Sequence, residues 1–167
     1  APIRRELGVK TFFNMLGPMV NPAKPQAQMV GVFSLELQRL YGYLYQQTDK
    51  RFAIVHALDG YDEISLTGDF KMITDEEESV VSPSSLKMKT LKQSDIFGGD
   101  TLDEAAKIFK QVISGEGTEA QNNVVIANAA MAIKTYKEIG LEEAIDQAKT
   151  SLTSGKAFDV FKKITNQ

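Results

Sequence analysis

Two short apolar runs, QMVGVF at residues 28–33 and FAIVHA at Phe52–Ala57, flank a segment with helical spacing, and this arrangement constrains the fold more than any other feature. Each run has strand length and is too short for a buried helix, so a buried strand is expected at both places. Ser34 stands where a helix N-cap belongs, and Glu36 and Leu37 follow it. The spacing predicts a helix through about Gln47, with Leu37, Leu40, Tyr41 and Leu44 on one face. A strand, a crossover helix and a second strand favour a parallel pair.

The flanking segments extend this unit. Ile3 to Leu16 reads as a short helix or a pair of turns ending at Gly17-Pro18. GPMVNPAKPQAQ then holds three of the five prolines, and proline lacks an amide donor and steers its predecessor away from helix, so a rigid connector is expected. Beyond FAIVHA, the apolar residues Phe70, Met72, Ile73, Val80 and Val81 flank an acidic DEEES stretch in the manner of a hairpin. From Thr101 onward the pattern is helical. Thr101 caps a first helix, with Asp103 and Glu104 placed where negative charge suits the helix dipole. After a break at GEGTEAQ a second helix is expected over Val124–Glu138, ended by Gly140, then a third over Leu141–Leu152. Gly155 separates it from a last amphipathic stretch ending near Ile164. The fold class is α/β: a partial mixed or parallel sheet, crossover helices and a helical C-terminal region.

At 167 residues there is room for one real core but not two. A net charge of -3 provides no overall basic surface, so no nucleic-acid partner is expected. The absence of cysteine excludes disulfides and thiolate chemistry and is compatible with a cytosolic location. No apolar stretch approaches the roughly 20 residues that cross a bilayer, so no membrane partner is expected. The start, APIRRELG, has no apolar core behind its basic pair and is not read as a secretory leader.

Candidate chemistry concentrates in HALDGYDEISLTGD, His56 to Asp69. In open α/β sheets ligands collect beyond the carboxyl ends of the strands, which is where this stretch begins. Asp59, Asp62 and Glu63 crowd three carboxylates together, with Gly60 permitting a tight turn. Hard oxygen ligands of this kind suit Mg²⁺, which takes one or two carboxylates and completes its shell with water and phosphates. A solvated acidic turn is the alternative on spacing alone. Asp75–Glu78 is denser in charge but falls at a hairpin tip, where such residues are ordinarily hydrated. His56, the only histidine, ends an apolar run and has no cysteine or second histidine to share a metal with, so it reads first as a packed residue. Arg4 and Arg5 are adjacent, and on a helix they would point about 100° apart, so one could grip a carboxylate with its guanidinium fork, while spacing alone favours a basic first turn on the surface. Gly98-Gly99-Asp100 is only superficially a phosphate loop, because Asp100 would repel phosphate.

Taken in order, RRELGVKTFFNMLGPMVNPA, QMVGVFS, DGYDEISLTG, GGD and NNVVIANAAMAI resemble the C-terminal half of the anthranilate phosphoribosyltransferase family, over Ile3 to about Ile164. The resemblance implies the fold shared with pyrimidine nucleoside phosphorylases, a small helical domain hinged to a larger α/β domain. Residues 1–22 would then be a helix and hinge segment leading from an N-terminal helical domain, and residues 23–167 the α/β catalytic half. The family transfers the phosphoribosyl group of phosphoribosyl pyrophosphate to anthranilate, an early step of tryptophan biosynthesis. By that resemblance Asp62 and Glu63 are the acidic pair that holds Mg²⁺ against the donor's pyrophosphate, and Arg4 meets the carboxylate of anthranilate. Gly17-Pro18 and Asn21-Pro22 match the hinge. The family's G-T-G-G-D phosphate loop and K-H-G-N segment have no counterpart in this chain. The resemblance therefore implies a partner in the N-terminal half of the same enzyme, an inactive isolated chain, and a full-length homodimer in the cytoplasm. A pyrimidine nucleoside phosphorylase and a non-catalytic binding domain of the same fold are the alternatives.

Overall fold

Strand β2 (Arg51–Ala57) is buried from Phe52 to Ala57, and the fold is arranged around it. The structure is a computed structural model that describes residues 17–165. The helix or turns expected over Ile3–Leu16, with Arg4 and Arg5, lie outside the described residues. Strand β1 (Ala27–Gly31) runs parallel to β2, with Met29 opposite Ala53. Strand β3 (Phe70–Thr74) lies antiparallel on the other side, with Val55 opposite Met72, and β4 (Glu78–Val81) completes the order β1-β2-β3-β4. The mixed sheet joins the parallel crossover to the hairpin, as the sequence pattern implies.

Both faces of β2 are covered, which explains why its sequence is a continuous apolar run. Phe52 and Ile54 pack with Val30, Ile73 and, from helix α1 (Leu35–Tyr45), Leu37, Tyr41 and Tyr45. The alternate residues Ala53, Val55 and Ala57 turn to the opposite face. There they meet Phe70, Met72 and two residues, Ala127 and Met131, of a C-terminal helix. Full burial of one such large apolar side chain is worth about 1.5–3 kcal/mol, so these two clusters supply much of the driving force.

The C-terminal helices are α2 (Leu102–Ile113), α3 (Glu119–Lys137), α4 (Leu141–Thr153) and α5 (Lys156–Thr165). Three details correct the sequence reading. Leu40 and Leu44 are 46% and 43% exposed, while Gln38, Gly42 and Tyr45 complete the buried face of α1 beside Leu37 and Tyr41. The helix is turned because Gln38 Nε2 donates to two strand carbonyls, Ile54 O at 2.9 Å and Lys71 O at 2.8 Å. Next, α3 begins at Glu119 rather than Val124: Thr118 and Gln121 form a reciprocal capping box inside the GEGTEAQ stretch that reads as a break. Finally, Glu138 terminates α3 in the left-handed conformation, and Gly140 is the N-cap of α4.

The proline-rich connector is pinned as well as stiff. Its first residues, Gly17–Val20, form a short 3-10 turn. Pro18 O accepts from Gln28 Nε2 at 2.8 Å and from the Tyr45 hydroxyl at 3.4 Å, and Asn21 Oδ1 accepts from the Ala23 amide at 3.0 Å. Tyr45 helps tie this connector to the core, with its ring 5.2 Å from that of Phe52, and Met19 packs against the same cluster.

Burial, helped by the neighbouring Tyr41, pushes the Tyr45 phenol from its ordinary 10 up to about 12. A phenol whose folded pKa is raised stabilises the fold fully below pH 10, and that contribution is lost as pH rises from 10 toward 12. Urea denaturation across this window is therefore expected to show falling stability, with a shallower fall in Tyr45→Phe. Equal slopes for the two proteins would contradict the assignment.

Candidate metal and substrate site

The chain leaves β2 at Ala57 and returns to β3 through a loop at residues 58–69 that is closed by its own backbone. Leu58 N donates to Asp69 O at 2.9 Å, Ala57 N to Tyr61 O at 3.0 Å, and Gly60 N to Ala57 O at 2.9 Å. Gly60 takes φ 107, a conformation that suits glycine at the head of this turn. Farther along, Ile64 and Leu66 are fully buried in the cluster under α3, and Ser65 between them is 2% exposed.

All three carboxylates are exposed, but hydrogen bonding divides them into two kinds. Asp59 accepts from the Thr67 hydroxyl and, at 3.4 Å, from the Ser65 hydroxyl, so its charge stitches the loop together. Asp62 and Glu63 are exposed, immediately before the buried Ile64-Ser65-Leu66. The structure therefore separates Asp59 from the pair with which the sequence groups it. Among the described residues no three His, Cys, Asp or Glu side chains converge on a metal position. Two adjacent, solvent-facing carboxylates at a strand exit nevertheless fit Mg²⁺, which relies on one or two carboxylates plus water and substrate phosphate rather than an all-protein cage.

The remaining candidates fall elsewhere. His56 is 7% exposed, and its Nδ1 donates to Val32 O at 2.7 Å, which makes it a packed link between the ends of β1 and β2. Gly98-Gly99-Asp100 leads into α2, where Thr101 caps the Glu104 amide and the Glu104 carboxylate accepts from Asp100 N at 2.8 Å. The acidic hairpin tip is exposed at Asp75–Glu77, and Glu78 pairs with Lys71. A cleft of about 480 Å³ lined by Asp103, Lys107, Lys110 and Phe158 includes no residue of the acidic loop. Arg4, the expected carboxylate contact, lies outside the described residues.

Sequence reasoning overlooks one residue at this site. Asn128 on α3 pairs its side-chain amide with the Ile64 peptide: Ile64 N donates to Oδ1 at 3.0 Å and Nδ2 donates to Ile64 O at 2.8 Å. The only signal in the sequence is an asparagine inside an otherwise apolar stretch, VVIANAAMAI, where its helix propensity is poor.

Comparison with known proteins places this geometry in context. Residues 1–158 match the family described as glycosyl transferase family, a/b domain. An anthranilate phosphoribosyltransferase from Christiangramia forsetii is 56% identical over 163 residues, covering 98% of this chain and 49% of that protein. The crystal structure of anthranilate phosphoribosyltransferase from Thermus thermophilus superposes with a TM-score of 0.86 at 28% identity, covering 98% of this chain and 49% of the other. The Saccharomyces cerevisiae enzyme in complex with PRPP and Mg superposes with a TM-score of 0.83; at 24% identity that likeness concerns the fold. The chain spans about half the length of the curated relatives it matches.

The division of labour among the carboxylates is open to test. Asp59→Asn is expected to cost about 1 kcal/mol in urea denaturation and to speed hydrogen exchange at the Thr67 amide, which donates to Ser65 Oγ at 3.3 Å. Asp62→Asn is expected to change stability by less than about 0.5 kcal/mol, as befits a solvated side chain. The reverse ranking would contradict this division between a structural Asp59 and a solvated Asp62.

Proposed function

The chain belongs to the glycosyl transferase family through its a/b domain, and from that membership we propose that it forms the α/β half of an anthranilate phosphoribosyltransferase. The observation that carries the reading is the Asp62–Glu63 pair, exposed beyond a buried parallel strand, while Asp59 on the same loop accepts from the Ser65 and Thr67 hydroxyls. The similarity to enzymes bearing that name over 98% of the chain supports it.

In the reaction, the amine nitrogen of anthranilate forms a bond to C1 of the ribosyl donor while the C1–O bond to pyrophosphate breaks. The bonding electrons depart on the pyrophosphate oxygen, and the amine gives up a proton. Asp62 and Glu63 would hold Mg²⁺, which when bound supplies positive charge against the departing diphosphate. The two carboxylates act by position. They stand on a loop whose backbone is fixed, so little reorganisation is needed as charge develops. Arg4 would take the anthranilate carboxylate through its planar fork, which orients the amine toward C1.

This chain carries no glycine-rich diphosphate cradle, so the reading assigns that element to the N-terminal half of the enzyme. The outer edge of β1 has no neighbouring strand among the described residues and offers backbone donors and acceptors for such a half to extend the sheet. In this reading residues 1–22 are a helix and hinge segment leading from the N-terminal helical domain, and residues 23–167 are the catalytic α/β unit. The full-length enzyme is a homodimer. A donor carrying several phosphate charges does not cross a bilayer unaided, so the reaction stays in the compartment that makes the donor, which this reading takes to be the cytoplasm. Among the described residues no helix is long and apolar enough to span a membrane.

Three measurements test the reading. In the complete transferase, Asp62→Asn with Glu63→Gln is expected to lower kcat/KM by about 100-fold or more and to blunt the Mg²⁺ dependence. Unchanged turnover and magnesium response would refute the metal assignment. Arg4→Lys should raise KM for anthranilate about tenfold and leave KM for the donor alone. The isolated chain should form no phosphoribosyl-anthranilate until the N-terminal half is added; product from the chain alone would overturn the division of the site.

A further inference from the structure

The acidic pair is gripped from both sides by two residues that carry no charge. On one side is Gly31, the last residue of β1: a Cβ placed there would lie 1.6 Å from Asp62 O and 2.8 Å from Asp62 C. The Asp62 carbonyl occupies the space a side chain would fill, so its backbone rests directly on the end of β1. On the other side is Asn128, whose amide closes a two-bond ring with the Ile64 peptide. Its second Nδ2 hydrogen goes to Val124 O at 2.9 Å, one turn back on α3, so both donors are committed and the side chain cannot swing away.

Farther along, Leu66 sits at φ 60, fully buried, with its carbonyl accepting from Leu91 N at 2.9 Å. A leucine in the left-handed region persists only where its surroundings over-determine the backbone, and it costs on the order of 1 kcal/mol or more. Asp62 and Glu63 thus stand between a steric stop at Gly31 and a hydrogen-bonded clamp at Asn128, on a loop that resists relaxation. Solvated acidic turns do not need such support. A magnesium site does, because its near-ideal octahedral shell tolerates little displacement of the ligand oxygens.

We infer that Gly31 and Asn128 are positioning residues for the metal-holding pair, setting the direction and spacing of the Asp62 and Glu63 carboxylates without touching the metal or the substrates. The inference rests on the proposed reading of that pair. Asn128→Asp keeps the size and the acceptor for Ile64 N, but it replaces both donors with carboxylate oxygen facing the Ile64 and Val124 carbonyls. Gly31→Ala places a methyl group where Asp62 O now lies.

The test compares these two variants with Leu152→Ala, a core truncation on α4 at a side chain 4% exposed and outside the cluster beneath the loop. In the complete transferase, Asn128→Asp and Gly31→Ala are expected to raise the apparent Mg²⁺ constant about tenfold, with KM for anthranilate unchanged. Mn²⁺ affinity measured by electron paramagnetic resonance in the presence of pyrophosphate should weaken by a similar factor. Hydrogen exchange at the Ile64 amide should also accelerate in Asn128→Asp. Leu152→Ala should lower the melting temperature and leave both metal constants where they are.

Metal constants that stay at wild-type values in Asn128→Asp, while Asp62→Asn with Glu63→Gln abolishes metal binding, overturn the inference and leave the proposed function standing. If the acid-pair variant also binds metal normally, the reading of the pair itself falls. Should Gly31→Ala fail to fold, Asn128→Asp alone decides.

Discussion

The burial of Ile64 and Leu66 is the constraint on which the rest of the site depends. Both side chains are fully enclosed beneath α3, two residues apart, and they pull the second half of the loop into the core. A loop anchored in this way cannot behave as a hydrated turn, because lifting either residue into water forfeits an interaction of about 1.5–3 kcal/mol. The exposed Asp62 and Glu63 immediately precede the buried segment, so their backbone inherits its rigidity. The anchor in turn requires β2 to be covered on both faces, by α1 on one and by α3 on the other.

Charge density alone does not make a site, and the molecule carries its own control. Asp75 to Glu78 places four carboxylates in succession at the β3–β4 hairpin. The turn there is held by Thr74, whose hydroxyl accepts from the Glu76 and Glu77 amides, and its acids lie at the junction of β3 and β4 rather than leading into a buried loop segment. The strand-exit loop carries as many acids, spread more widely, and its second half is anchored in the core by Ile64 and Leu66. Preorganisation of that kind is what distinguishes a group that stabilises developing charge from one that is merely solvated.

Much of this was legible in the residues. The crossover between QMVGVF and FAIVHA, the hairpin around DEEES, and the caps at Ser34 and Thr101 all follow from local patterns of period and capping, and each appears in the structure. What escaped depends on partners distant in sequence. Leu40 and Leu44 match the helical period of α1, yet the helix turns them outward because Gln38 bonds strands that lie 16 and 33 residues away. The role of Asp59 is set by hydroxyls that only the folded loop delivers, and that of Asn128 by a peptide 64 residues upstream. Leu66 at φ 60 contradicts its own local preference, and no pattern of period or propensity reveals such a residue. The acidic pair itself was visible; the machinery that holds it was not.

The central claim, that Asp62 and Glu63 rather than the denser hairpin acids hold the divalent ion, is tested most directly by paramagnetic broadening. Substoichiometric Mn²⁺ with pyrophosphate is added to the isotopically labelled protein, and amide signals are followed by NMR. The account predicts that broadening centres on Asp62 and Glu63 and fades toward β3. Broadening centred on Asp75–Glu78, or spread evenly over the acidic surface, would contradict it.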